Sequence, residues 1–152
     1  MGSNTLFNAP EYDPQRERRR KVLIIIAVVA AIVLAGLGYR FRHYPYERTV
    51  ARFFTAVQEK NYETAYGIWL GDPDWKKHPE QYKRYPLQSF YRDWGPGGQW
   101  GIVSTFKVEG STDPGGTGIV VRVRVNDRSE RANIWVEKSD KTLTFSPFET
   151  IQ

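Results

Sequence analysis

The sequence predicts an α+β protein: an N-terminal transmembrane helix, then about three helices packed on a curved antiparallel sheet of about four strands. Three observations predict this fold. Residues 22–38 carry no polar side chain, and between residues 46 and 94 apolar residues recur at helical spacing. From residue 99 onward the apolar pattern changes to a period of two, which is typical of strands. Helices followed by consecutive strands with short turns indicate an α+β architecture.

The apolar run predicts a membrane span over residues 22–39. At about 1.5 Å per residue a helix of this length is roughly 27 Å long, close to the thickness of a bilayer core. A helix at the surface of a soluble protein would show a polar face within five turns, and this run has none. We therefore expect the lipid bilayer to be a partner of this segment.

A cluster of basic residues precedes the run and serves as a topology signal. The positive-inside rule then places the N-terminus in the cytoplasm and the C-terminal domain in the periplasm or outside the cell, across the inner (cytoplasmic) membrane. The length of the polar stretch and of the apolar run favours an uncleaved anchor, although residues 33–35 also fit a signal-peptidase site. The basic cluster consists of Arg16, Arg18, Arg19, Arg20 and Lys21.

The polar segments around the span complete the N-terminal organisation. Residues 1–21 have no sustained apolar period and are expected to be a disordered cytoplasmic tail. Residues 40–45 are expected to be a juxtamembrane linker. The soluble domain is predicted to cover residues 46–149. Aromatic residues near the linker are typical of a membrane interface: Tyr39, Phe41, Tyr44 and Tyr46.

The domain begins with three predicted helices. The first covers residues 46–60, and the second follows an N-cap at Asn61 and ends at the Gly-Asp-Pro sequence 71–73. Residues 72–86, rich in proline and lysine, are predicted to be irregular, with one short helix starting at Pro79. Residues 87–94 form the third helix, which a Gly-Pro-Gly-Gly turn ends.

Four strands are predicted in the second half of the domain. Glycine-rich or polar turns separate them, so the strands are expected to form an antiparallel meander. The predicted strands are residues 100–109, 117–126, 131–137 and 142–146.

The stretch YERTVARFFTAVQEKNYETAYGIW resembles the opening helix pair of nuclear transport factor 2-like (cystatin-like cone) domains, with an aromatic-x-x-Ala motif at Tyr62 to Ala65. The resemblance covers residues 46–149 and implies a cone-like domain in a small single-pass bacterial membrane protein. Enzymes of that family use a cavity Asp with a His or Tyr. No such pair can be placed here, since Asp93 is the only carboxylate next to candidate cavity aromatics.

Two groups of residues are candidate sites. Aromatic side chains either line a cavity for an apolar ligand or fill the core: Tyr66, Trp69, Phe90, Trp94 and Trp135. Four arginines in and after the predicted strand 117–126 form either a basic patch or the solvated face of the sheet: Arg122, Arg124, Arg128 and Arg131.

Composition excludes several functions. The chain has 152 residues, no cysteine and only two histidines, so thiol catalysis, disulfide scaffolds and histidine-rich metal centres are excluded. We expect no metal and no cofactor. Outside the tail, 17 basic and 14 acidic residues give a net charge of only +3, which disfavours nucleic acid as a partner.

The sequence therefore favours a membrane-anchored, non-enzymatic interaction or assembly module of the cell envelope, with a second copy or another envelope protein as partner. Two alternatives stay open. One is a binding module for a small apolar ligand. The other is an isomerase- or dehydratase-type enzyme that uses Asp93 and a nearby tyrosine.

Overall fold

The computed structural model describes residues 13–148, which form two compact units. The first unit ends at Arg42 and the second begins at His43. The second unit holds all of the buried apolar residues and is an α+β domain with an antiparallel sheet. The coarse fold class predicted from the sequence is therefore confirmed.

The first unit is a single helix, α1 (Pro14–Phe41), and none of its residues is buried. It is the one helix within residues 13–148 that is long and apolar enough to cross a membrane. The predicted disordered tail differs from the structure: residues 14–21 belong to α1, and residues 1–12 lie outside the described part of the chain. Asp13 caps the helix by accepting hydrogen bonds from two backbone N–H groups, and Lys21 pairs with Glu17 one turn earlier.

Two helices open the second unit: α2 (Tyr44–Gln58) and α3 (Tyr62–Leu70). The linker predicted over residues 40–45 is shorter in the structure: only residues 42–43 lie between the end of α1 at Phe41 and the start of α2 at Tyr44. Asn61 caps α3 as predicted, since its side chain accepts a hydrogen bond from the Thr64 backbone N–H at 3.2 Å. Gly71 ends α3 with a φ of 65°, a left-handed conformation that glycine adopts without strain.

The segment after α3 is irregular, as predicted, with 3₁₀ turns at Trp75–Lys77 and Pro79–Tyr82. The next helix, α4 (Leu87–Trp94), has the predicted bounds. A Cβ atom added at Gly98 would overlap the backbone of Asp93, so the turn that follows α4 requires glycine there.

The four strands are β1 (Phe106–Thr112), β2 (Gly118–Val125), β3 (Arg131–Glu137) and β4 (Leu143–Phe145). They form one antiparallel sheet in the order β1-β2-β3-β4. The first strand begins six residues later than predicted and extends into the predicted turn. A β-bulge lies between Val108 and Gly110, where the register with β2 shifts.

The core lies between the helices and one face of the sheet. That face consists of alternate residues of β2 and β3, among them Val121, Val123 and Ile134, which are almost completely buried. Phe53 and Phe54 of α2 pack between this face and the other helices. The opposite, outer face of the sheet carries the polar members of the alternating pattern, such as Arg122 and Asn133.

Candidate functional site

Four of the five predicted cavity residues lie together. Tyr66, Trp69, Phe90 and Trp94 are at most 4% exposed, and their rings contact one another: the centroids of Trp69 and Trp94 are 5.4 Å apart and those of Tyr66 and Phe90 5.3 Å apart. Phe53 packs edge-on against Trp94 at 4.9 Å. These side chains form a packed aromatic cluster of the core.

The fifth predicted residue, Trp135, lies apart from this cluster on the outer face of the sheet. Its ring covers Gly118 of the neighbouring strand, where an added Cβ atom would overlap the indole. Its indole N–H donates a hydrogen bond to Glu137 at 2.7 Å, and the Phe148 ring lies 5.9 Å away. Trp135 therefore does not share a site with the other four residues.

Asp93 has the tyrosine partner that the enzyme hypothesis requires. The Tyr85 hydroxyl donates a hydrogen bond to Asp93 at 2.8 Å, and the Tyr66 hydroxyl donates to the Tyr85 carbonyl at 2.6 Å. Burial, followed by the bond to Asp93, raises the pKa of Tyr85 well above its usual value. The phenol keeps its proton at neutral pH, so this pair fastens α4 to the residues before it.

A second acid–tyrosine pair, which sequence reasoning missed, includes a histidine. Asp72 accepts hydrogen bonds from Tyr82 and from Nε2 of His78, both at 2.6 Å. The bond from Tyr82 is the largest cause that lowers the pKa of Asp72, and the same bond raises the pKa of Tyr82 to about 12. This Asp–His–Tyr cluster joins the end of α3 to the second 3₁₀ turn.

The arginines of the candidate basic patch are largely engaged with other groups. Glu109 accepts from Arg124 at 2.7 Å and from Arg131 at 2.6 Å, and these bonds lower the pKa of Glu109, the one to Arg131 most. Arg128 donates to the Gln99 carbonyl at 2.9 Å. Arg122 is exposed. Because Glu109 pairs with Arg124 and Arg131, part of the positive charge on this face is neutralised within the fold.

Another polar chain joins α2 to β1. His43 Nδ1 donates to the Ser111 hydroxyl at 3.2 Å, and that hydroxyl donates to Glu47 at 2.6 Å. The serine lies between the histidine and the carboxylate, whereas a nucleophilic triad places the histidine in the middle. The arrangement fixes the start of α2 against the sheet.

Among the open grooves on the surface of the second unit, two have volumes of about 550 and 490 Å³. The larger lies between α2, α3 and the β3–β4 turn, and Trp75 and Ile68 form its apolar part. The other runs along the first half of β3 and is lined on its aromatic side by Trp94, Trp100, Phe145 and Phe148.

Trp94, one of the residues that line this groove, has a buried polar atom with unused hydrogen-bonding capacity. The indole N–H of Trp94 is buried and has no hydrogen-bond partner in the part of the chain that the structure describes. Residues 13–148 contain no cluster of three or more His, Cys, Asp or Glu residues that could hold a metal ion.

The chain matches no protein-family model, no curated protein and no solved structure. The resemblance to nuclear transport factor 2-like domains therefore stays a prediction, and the function is argued from the geometry described above.

Proposed function

We propose that this chain is a single-pass membrane-anchored, non-enzymatic interaction module of the cell envelope, with a nuclear transport factor 2-like domain outside the cytoplasm. One observation carries the proposal: α1 exposes apolar side chains on all sides, whereas the second unit buries a complete core of its own. An exposed apolar surface of that length in water would drive aggregation, and a bilayer removes it from water.

The charges around α1 support the proposed orientation. Five basic residues precede the apolar run within one and a half turns of helix, and Glu17 is the one acidic residue among residues 14–21. Basic residues next to a span favour the cytoplasmic side. Tyr39 and Phe41, both more than half exposed, lie at the other end of α1, where aromatic side chains suit the interface.

The surface of the second unit supports binding more than catalysis. Asp72 and Asp93 each accept a tyrosine hydroxyl, so the carboxylates closest to an acid/base arrangement are used in the fold. Ile102, Phe145 and Phe148 remain about half exposed, and Ile102 and Phe148 lie on loops. Loops commonly carry binding residues, so these exposed side chains are the contact points that the proposal assigns to a partner protein.

Cysteine labelling tests the anchor and its orientation, because the chain has no cysteine of its own. Single variants Asn8→Cys and Ser129→Cys are expressed in full-length form in a bacterial host. We expect both proteins to stay in the membrane fraction after carbonate extraction. We also expect a membrane-impermeant maleimide to label Ser129→Cys in cells with a permeabilised outer membrane, and Asn8→Cys only after lysis. The reverse labelling pattern would overturn the orientation, and extraction by carbonate would overturn the anchor.

A photo-crosslinking amino acid tests the interaction role. Placed at Ile102, which is 55% exposed, it is expected to give a defined adduct in cells, whose mass shows whether the partner is a second copy. The same amino acid at Gln81, an exposed polar position, is the matched control. Equal adducts at both positions, or no adduct at Ile102, would contradict the interaction role.

A further inference from the structure

We propose that Arg48 and Arg52, on the exposed face of α2, bind anionic phospholipid headgroups at the surface of the bilayer that α1 crosses. This binding rests on the membrane anchor proposed above and adds the class of lipid that the second unit contacts.

The segment that follows the apolar run is strongly basic. Residues 39–58 contain four arginines and a single acidic residue, Glu47. The Glu47 carboxylate accepts a hydrogen bond from the Ser111 hydroxyl of β1 at 2.6 Å, so it is engaged within the fold. The segment therefore keeps an excess of positive charge. Its arginines are Arg40, Arg42, Arg48 and Arg52.

Two of these arginines share one face of α2. Arg48 and Arg52 are four residues apart, about one helical turn, and both are exposed. Neither side chain has a hydrogen-bond or ion-pair partner among residues 13–148. The two guanidinium groups are therefore available to an external anion.

The acidic residues nearest to this face leave the arginines unpaired. In the groove of about 550 Å³ that Arg52 lines, Glu63 is paired with Lys76, and Asp140 accepts a backbone N–H. Glu59 is exposed, but it follows the last residue of α2, about 10 Å from Arg52 along the helix axis. No carboxylate of the described chain therefore competes with an external anion at Arg48 and Arg52.

The length of chain keeps both arginines close to the membrane surface. Residues 42–43 alone separate α1 from α2, and two residues span at most about 7 Å. At about 1.5 Å per residue, Arg48 lies about 6 Å along α2 from its first residue, and Arg52 about 12 Å. A charged surface attracts over about 8 Å at physiological ionic strength. The arginine side chains add their own length to this reach.

The chemistry of this face favours a lipid surface over a protein. From Arg48 onward, the exposed residues of α2 carry no large apolar side chain: they are Arg48, Arg52, Thr55 and Gln58. The centre of a protein–protein interface is usually apolar or aromatic, so this face lacks what such a partner needs. A guanidinium group instead donates two parallel hydrogen bonds to a phosphate, which every anionic phospholipid carries.

Fluorescence quenching in lipid nanodiscs tests the binding on the full chain. The variant Thr55→Cys, on the same face of α2, has a single cysteine, which is labelled with a fluorophore. Nanodiscs of phosphatidylcholine are compared with nanodiscs that contain one-third phosphatidylglycerol, and both hold the same amount of a lipid with a nitroxide on its headgroup. We expect phosphatidylglycerol to increase quenching about twofold, because the anionic surface draws α2 toward the headgroups. Half-molar salt should remove the increase.

Matched variants, all made in the labelled chain, separate these two arginines from positive charge in general. Arg48→Ala/Arg52→Ala should lose the increase, and Arg48→Glu/Arg52→Glu should turn it into a decrease. Lys83→Ala/Arg84→Ala removes the same charge from two exposed residues elsewhere in the second unit and should keep the increase.

Elution of the chain with the nanodiscs is measured first. A chain that does not enter them would overturn the anchor and this binding with it. In a chain that does enter, equal quenching in both lipid mixtures would overturn the lipid binding alone and favour an acidic partner protein. An increase that survives in Arg48→Ala/Arg52→Ala, or that is lost equally in Lys83→Ala/Arg84→Ala, would also overturn the binding at Arg48 and Arg52.

Discussion

The helices α1 and α2 follow each other in the chain after a two-residue turn, yet they use apolar residues in opposite ways. In α1 the apolar residues surround the helix and none is buried. In α2 they occupy one face, on which Val50, Phe53 and Val57 are buried. Arg48 and Arg52, away from that face, are exposed. Apolar content alone therefore does not tell which solvent a helix needs. The distribution of the apolar residues around the helix axis indicates the solvent, because protein can cover one face, whereas only lipid or other helices can cover the whole circumference.

A polar face introduced into α1 should have the largest effect, because it removes the difference between α1 and α2. In Val29→Arg/Ile32→Arg two charges lie near the centre of the span, and each costs about 2.5–3.5 kcal/mol of insertion free energy. We expect the full chain to leave the membrane fraction on carbonate extraction. As the control, Arg48→Ala/Arg52→Ala on the exposed face of α2 should remain membrane-bound. Retention of the double arginine variant would contradict the anchor.

A matched pair of isoleucine-to-alanine substitutions, one in the core of the second unit and one in α1, tests whether both units contribute to the same core. Ile134 of β3 is 1% exposed and Ile32 of α1 is 67% exposed. Ile134→Ala should lower the free energy of unfolding of the second unit by about 2–5 kcal/mol, because it removes buried methyl groups and leaves a cavity. Ile32→Ala should leave that free energy unchanged, as followed by near-UV circular dichroism during denaturant unfolding in detergent. Similar losses in both variants would show that the two units share a core.

Alanine substitutions at two glycines, one in each unit, should have the next largest effect and differ in their result. An added methyl group at Gly118 would overlap the Trp135 ring, whereas nothing lies within 4 Å of the corresponding position at Gly36. Gly118→Ala should displace the indole, change tryptophan fluorescence and cost about 1–3 kcal/mol. Gly36→Ala should alter neither the fluorescence nor the unfolding of the second unit. Unchanged fluorescence in Gly118→Ala would place Trp135 elsewhere.

The smallest expected effect is that of the hydrogen bond between Asp72 and Tyr82, whose contribution to the free energy of unfolding depends on pH. Tyr82→Phe should lower the free energy of unfolding of the second unit at neutral pH by less than the substitutions above. The bond raises the pKa of Tyr82 to about 12, so its contribution is full below about pH 10 and is lost as the pH rises through 12. It lowers the pKa of Asp72, so the contribution is also lost as the pH falls below about 4.

Denaturant unfolding of the unchanged protein and of Tyr82→Phe across this pH range checks the plateau. A difference between the two proteins that stays constant from pH 3 to pH 12 would mean that the hydroxyl makes no bond to the carboxylate. Lys77→Ala, at an exposed ion pair in the same segment, serves as the control for a substitution that leaves the Asp72–Tyr82 bond intact.

Local signals predicted most of the secondary structure. The bounds of α4 and β3 agree with the prediction because glycine-rich or polar turns end both elements within the sequence itself. The first strand was misplaced, since Trp100 and Val103 have the buried character of strand residues but are buried by packing on the core. Pairing with β2, which no local pattern shows, begins only at Phe106. The helix over residues 14–21 was missed because an established helix propagates into polar residues at little cost.

The candidate sites were less accessible to sequence reasoning. The aromatic residues were recognised, but their separation into a core cluster and an outer-face tryptophan depends on which side of β3 Trp135 occupies. Asp72, His78 and Tyr82 lie six and four residues apart in a segment without regular periodicity, so only the path of the two 3₁₀ turns brings them together. The unpaired N–H of Trp94 has no sequence signal at all, because satisfaction of a donor depends on what surrounds it.

The apolar span, the order of helices before strands and the turns between them can be read from the amino-acid sequence. These features follow from periodicity, capping and glycine or proline positions, which act over a few residues. The packed structure is needed to show which aromatic rings share a core, which carboxylates contact tyrosines and which donor stays unpaired. Those outcomes depend on contacts between residues far apart in the chain, and their free energy comes from burial and hydrogen bonding that exist only once the sheet and helices have packed.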